Sequence, residues 1–339
     1  MVKNSRRKKK TRAAAAANGT NYTTAMRAQE TVTSSARLPQ PLRFPTPGTA
    51  AFTEALRRAK GGVLRLGETI DGGHLDWNLN EQPHGLFAGR TGSGKTIALN
   101  AVVSYGLALP EAFEVLICDP KYSELDWAAQ YLDADSYAMT AVETHRVAQL
   151  AHRRMEATRS ALEAVGAANL GELGEKLRAD PDLEAVYGPA PKRTLLVIDG
   201  LPPLLAATYA DPQWEEVATE TRTYLEGIVK FGGDAGISLI WSAQVLDRKI
   251  LGPVLHGMDG LRVGIGSLDE YNLHMLFGPA GTPAGVKERM HWGRAAVRDR
   301  DGDREATLYY LPAAPADTET VPEFLRPNVL DVVKHRQAS

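Results

Sequence analysis

A chain of 339 residues with 43% hydrophobic and 24% charged side chains has apolar mass for one large or two small packed domains. The net charge of −2 points to no partner by itself, and no apolar run approaches the roughly 20 residues that a membrane span requires, so a soluble, cytoplasmic protein is expected. The one cysteine, Cys118, lies in an apolar run and reads as a buried core residue of a reducing compartment, and the eight histidines show no metal-ligand spacing.

The distribution of charge is more informative than its sum. Lys3, Arg6, Arg7, Lys8, Lys9, Lys10 and Arg12 place seven positive charges in the first twelve residues, ahead of an alanine run and a Thr/Ser-rich stretch reaching Ser35. Without apolar periodicity, this segment is expected to be a disordered basic arm that attracts polyphosphate, with nucleic acid as the usual partner and a purely solubilising tail as the alternative. Without the arm the remainder is net acidic, so any DNA contact by the folded part must come from local patches. Pro39, Pro41, Pro45 and Pro47 form a stiff linker that completes a segment over 1–48. A lead-in over 49–80 follows: Thr49 caps a short helix carrying Phe52, Ala55, Leu56 and Ala59 on one face, Gly61-Gly62 ends it, 63–66 reads as a strand, and Asp71-Gly72-Gly73 as a turn.

Residues 84–96 run from an apolar strand into a glycine-rich turn and then towards a helix over 97–107. Gly89, four intervening residues (Arg90, Thr91, Gly92 and Ser93), then Gly94, Lys95 and Thr96 satisfy the P-loop pattern. Its backbone N–H groups cradle phosphate oxygens, its lysine reaches the terminal phosphates, and its threonine hydroxyl holds Mg2+. The apolar run over 113–118, closed by Asp119-Pro120, predicts a strand buried on both faces. Val147, Leu150, Ala151, Met155, Thr158, Leu162 and Val165 recur at helical steps over 144–165, with Arg146, Arg153, Arg154 and Arg159 read as a solvated face. Beyond a loop-rich 166–191 with one helix near 171–179, buried strands are expected at 194–198, 237–242 and 261–265, with a helix over 212–231 between the first two. A hairpin around Asp301-Gly302 closes the pattern. Strands alternating with helices predict a doubly wound α/β sheet.

The strand over 194–198 ends in Asp199 at the edge where α/β ligands bind, the Walker B position that holds magnesium through water. The strand over 237–243 ends in Gln244, a neutral amide suited to sensing the γ-phosphate or orienting the attacking water.

These residues resemble the FtsK/SpoIIIE group of DNA-pumping ATPases within the HerA/FtsK class, over roughly 63–311. Pro83-His84 with Gly89 to Thr96 is similar to that family's Walker A region. Cys118-Asp119-Pro120-Lys121 with Glu124-Leu125 resembles its Asp-Pro-Lys segment, and Arg153-Arg154-Met155 with Asn169-Leu170 its long helix and the end of that helix. Ala235-Gly236-Ile237 through Ala243-Gln244 resembles its Ala-Gly-Ile…Ala-Thr-Gln strand. The stretch over 283–298, with Trp292-Gly293-Arg294-Ala295, is most similar to the short versions carried by plasmids, phages and integrative elements. The resemblance implies a RecA-like, mostly parallel core over 81–312 with a tail over 313–339. It implies ATP and Mg2+ as cofactors, a homohexameric ring on double-stranded DNA, and a facing of Lys121 towards the next subunit's nucleotide.

Departures from the family matter too. Its Walker B aspartate precedes a glutamate that polarises water; here Gly200 follows Asp199. Loss of such a base costs about 10²- to 10⁴-fold in rate, so hydrolysis is slow or uses another carboxylate. The family's arginine ahead of Ala-Gly-Ile is replaced around Gly233-Asp234, with Arg222, Lys230 or Arg294 as substitutes and none assigned. Arg248 and Lys249 are the expected pore-loop contacts to the DNA backbone, with an exposed surface pair as the alternative. No membrane span or C-terminal winged helix is expected, so membrane or transfer-complex partners would supply attachment and loading. The expected function is a double-stranded DNA translocase of a plasmid, phage or integrative element. A hydrolysis-impaired nucleotide- and DNA-binding adaptor is the main alternative, and a single-strand helicase is disfavoured by the lack of an aromatic-rich basic loop.

Overall fold

The structure, a computed structural model, describes residues 41–120, 125–206, 212–278, 293–313 and 326–335. The expected basic arm up to residue 40, together with Lys121, Glu124, Pro283 and Trp292, lies outside the described residues.

Among the described residues ten strands form one sheet: β1 (Val63–Thr69), β2 (His74–Asn78), β3 (His84–Gly89), β4 (Phe113–Cys118), β5 (Tyr137–Ala138), β6 (Arg193–Ile198), β7 (Ile237–Ala243), β8 (Gly260–Ile265), β9 (Arg294–Asp299) and β10 (Gly302–Leu308). Their order is β2-β1-β10-β9-β8-β3-β7-β6-β4-β5. From β8 to β5 all neighbours are parallel, which is the expected doubly wound core. From β8 outward to β2 they are antiparallel, so the lead-in strands and the closing hairpin extend the same sheet.

Every residue of β3, β6 and β7 is buried, the pattern of central strands covered on both faces. Alternation along the strands divides the core in two. Phe87, Val115, Ile117, Leu195 and Val197 pack with the P-loop helix α2 (Lys95–Ala108), with α1 (Ala50–Lys60) and with a helix near the C-terminus, Val329–Lys334. Leu86, Leu116, Cys118, Leu196 and Ile198 pack on the opposite face against α3 (Ala141–Val165) and the helix Pro212–Phe231.

Local signals account for several element ends. Thr49 accepts the Phe52 N–H at the start of α1, as its sequence predicts. Helix α3 begins three residues earlier than its apolar stripe, because Thr140 and Glu143 form a reciprocal capping box, and it ends at Gly166 in the left-handed conformation. The helix expected near 171–179 is α4 (Leu170–Ala179), and a further one, α5 (Pro181–Tyr187), follows where only loop was expected. Asp180 caps α5 and Pro181 opens it, a start signal that the absence of an apolar stripe concealed.

Candidate nucleotide site

The carboxyl ends of β3, β7 and β6 lie side by side, with β7 between the other two. This places the P-loop, Gln244 and Asp199 on one rim of the sheet. Gly89 is the last residue of β3, and a Cβ there would lie 2.3 Å from Ser93 Oγ and 2.8 Å from the Ile265 carbonyl of β8. Only glycine lets the loop turn this closely against the neighbouring strand. Gly92 and Gly94 then adopt φ of 74° and 105°, which turns the loop into the N-terminus of α2.

Lys95 is 5% exposed, and its Nζ donates to the carbonyls of Gly89 and Arg90, each at 2.9 Å. The ammonium therefore sits within the curl of the loop. Arg90, Thr91 and Gly92 are exposed at the outer turn, and Ser93, Gly94 and Thr96 are half-buried. Thr96 Oγ1 donates to Asp199 Oδ2 at 3.2 Å, joining positions 103 residues apart. Ser242 Oγ, on β7, donates to Asp199 Oδ1. Asp199 is fully buried at the end of β6, and its N–H donates to the Cys118 carbonyl at 2.9 Å. A threonine hydroxyl and a carboxylate in contact are two hard oxygen donors, the set that suits Mg2+; Thr96 and Asp199 are the residues that would hold it.

Gln244 follows β7 and is exposed beside this rim. The chain just past it is anchored: the Leu246 N–H donates to buried Asn272 Oδ1 at 2.8 Å, and Asn272 in turn donates to Asp269. The Asn272 backbone N–H, more than any other neighbour, holds the Asp269 carboxyl below the usual range. Among the described residues no three His, Cys, Asp or Glu side chains are grouped as a metal site, and no helix is long and apolar enough to cross a membrane.

One expectation changes. Arg248 and Lys249 are exposed, but they form the first turn of a helix, Arg248–Gly257, rather than a loop. The reason is Asp247, whose side chain accepts the Lys249 N–H at 2.8 Å and caps that helix. At the end of β6, Gly200 has a φ of 94° that L side chains rarely adopt. Of the proposed substitutes for a finger, Arg294 is paired with Glu305 at 2.6 Å, Lys230 stands over the Phe231 ring at 4.9 Å, and Arg222 is half-buried in its helix.

No protein-family model matches the chain. Over 121 residues it is 34% identical to the DNA translocase FtsK of Lactococcus lactis subsp. cremoris, a stretch covering 34% of this chain and 16% of that protein. Over 257 residues it is 23% identical to the Ftsk domain-containing protein YdcQ of Bacillus subtilis, covering 76% of this chain and 48% of that one. The structure of the pCW3 conjugation coupling protein TcpA, a monomer form with ATPgS, superposes with a TM-score of 0.63 at 19% identity over 81% of this chain and 71% of that chain. Over these stretches the chain is similar to FtsK-type proteins, and its fold is similar to that of the TcpA coupling protein. It spans less than half the length of these curated relatives.

Two polar residues of this rim, Ser242 and Asn272, are marked by no motif in the sequence. Ser242 lies inside the stretch that was matched to the family's strand, yet nothing in its spacing marks it as the donor to Asp199. Asn272 lies on a helix, Glu270–Phe277, for which no start was read, although Asp269 ahead of it is a capping residue.

Proposed function

We propose that this chain is an ATP-dependent double-stranded DNA translocase, working as a homohexameric ring in the transfer or partition of a plasmid, phage or integrative element. The observation that carries the reading is the contact of Thr96 with Asp199 beside the buried Lys95, which gathers the P-loop and the Walker B carboxylate at one rim. In this reading Gly89, Arg90, Thr91, Gly92, Ser93, Gly94, Lys95 and Thr96 bind the nucleotide, Thr96 and Asp199 hold Mg2+, and Gln244 addresses the γ-phosphate or the attacking water. The motor is the domain over 81–312, and the basic arm contributes affinity for DNA without sequence preference. Further support comes from the names of its relatives: FtsK proteins are DNA translocases, and TcpA is a conjugation coupling protein whose structure contains ATPgS.

ATPase activity of the full chain, measured with and without duplex DNA, tests the reading. Stimulation by duplex is expected, together with loss of nucleotide retention in Lys95→Ala. No stimulation at concentrations that allow a ring to form would overturn it. One observation favours a second reading, a nucleotide-binding DNA adaptor: Gly200 offers no carboxylate. ATP binding with no turnover on any DNA would select the adaptor.

A further inference from the structure

If the rim hydrolyses ATP, a carboxylate placed to take a proton from the attacking water speeds the step, and position 200 has none. Asp199 is poorly suited, since Thr96 and Ser242 engage its two oxygens. Strand β4, on the other side of β6 from β7, brings a second carboxylate to the same edge. The strands pair in parallel register from Phe113↔Arg193 to Cys118↔Ile198, and the Asp199 N–H continues the ladder to the Cys118 carbonyl at 2.9 Å. Asp119 and Asp199 therefore occupy equivalent positions on neighbouring strands, about 4.8 Å apart.

Alternation puts both on one face of the sheet. Cys118 and Ile198 face the core beneath α3, so the residues that follow them turn towards the P-loop helix. Two contacts agree. Thr96 of that helix reaches Asp199, and Asp119 Oδ2 accepts the N–H of Leu125 at 2.9 Å, Leu125 belonging to the core on the P-loop-helix side. Asp119 and Asp199 are both fully buried, so neither is a surface acid that happens to lie nearby.

We infer that Asp119 supplies the proton acceptor that Gly200 cannot, an inference that rests on the ATPase reading above. In the step, the water oxygen bonds to the γ-phosphorus as the bond from that phosphorus to the bridging oxygen breaks. ADP leaves with the bridging oxygen, one water proton passes to the Asp119 carboxylate, and the other stays on inorganic phosphate. Asp119 then returns its proton to solvent. The Leu125 N–H holds the carboxylate in position throughout.

The test uses the full chain with Asp119→Asn, which keeps the shape and the acceptor for Leu125, and Asp119→Glu, which keeps a carboxylate. Asparagine is expected to lower kcat by about 10²-fold or more and to leave the affinity for a fluorescent ATP analogue within about threefold. Glutamate should retain a rate above that of asparagine. Turnover by Asp119→Asn within about threefold of the unaltered chain, at equal nucleotide affinity, would overturn the inference and leave the translocase reading standing. An unaltered chain that binds ATP without hydrolysing it overturns the inference in favour of the adaptor, and one that retains no nucleotide overturns both.

Discussion

Substituting Gly200 tests whether the backbone itself keeps a side chain off the end of β6. At a φ of 94°, alanine gains a Cβ in a left-handed conformation, which costs an L residue about 1–2 kcal/mol, whereas asparagine tolerates such conformations better. For a domain of about 150–250 residues, 1 kcal/mol moves the thermal midpoint by roughly 2–4 °C. Gly200→Ala should therefore melt about 2–8 °C below the unaltered chain, with Gly200→Asn between the two. Gly200→Glu, the residue that the family resemblance calls for, should lose at least as much stability as alanine and gain no turnover, because its carboxylate would leave from a strained backbone. The assay is a reversible thermal melt of the three variants beside their kcat with saturating ATP and duplex DNA. Equal midpoints for alanine, asparagine and glycine, or a tenfold rise in kcat for glutamate without loss of stability, would refute the reasoning.

Gly89→Ala should cost about 1–3 kcal/mol and weaken nucleotide binding, read by denaturant unfolding and by titration with a fluorescent ATP analogue. Ser93 can turn away from the new Cβ, but the Ile265 carbonyl, 2.8 Å away, moves only with β8. His84, buried among the parallel strands with its Nδ1 accepting the Leu239 N–H, is held neutral by burial, its pKa lowered from 6.5 to about 4. The unfolded chain binds the extra proton between those values, so acidification from pH 6.5 to 4 should remove up to about 3 kcal/mol of stability, and His84→Gln should show a flatter profile over that window. Burial also pushes the Cys118 thiol up to about 12, so iodoacetamide should label it only after the chain is unfolded. Rapid labelling of the native protein would show that β4 is accessible.

The chemistry-bearing segments were legible because each carries its signal locally. A strand buried on both faces reads as an unbroken apolar run, as in 113–118 and 194–198, and the P-loop is contiguous from Gly89 to Thr96. The 3.6-residue period of α3 likewise lies within one stretch of chain. Elements whose burial depends on distant partners were not legible. Strand β2, with its alternating pattern, needs β1 to pair with, and Val329–Lys334 is a six-residue helix that becomes stable by burying Val329, Val332 and Val333 against the core. No sequence period marks so short an element.

The chain by itself determined which residues could handle a triphosphate: the glycines, Lys95 and Thr96 follow one another, and Asp199 and Gln244 each end an apolar strand. Tertiary structure decided which of them meet. Strand order puts β7 between β3 and β6, brings Ser242 and Thr96 onto Asp199, and sets Asp119 beside it, because hydrogen bonding between strands joins residues regardless of their separation along the chain. It also decided the conformation of Gly200, since a φ of 94° is imposed by the turn out of β6 and the residue type merely permits it.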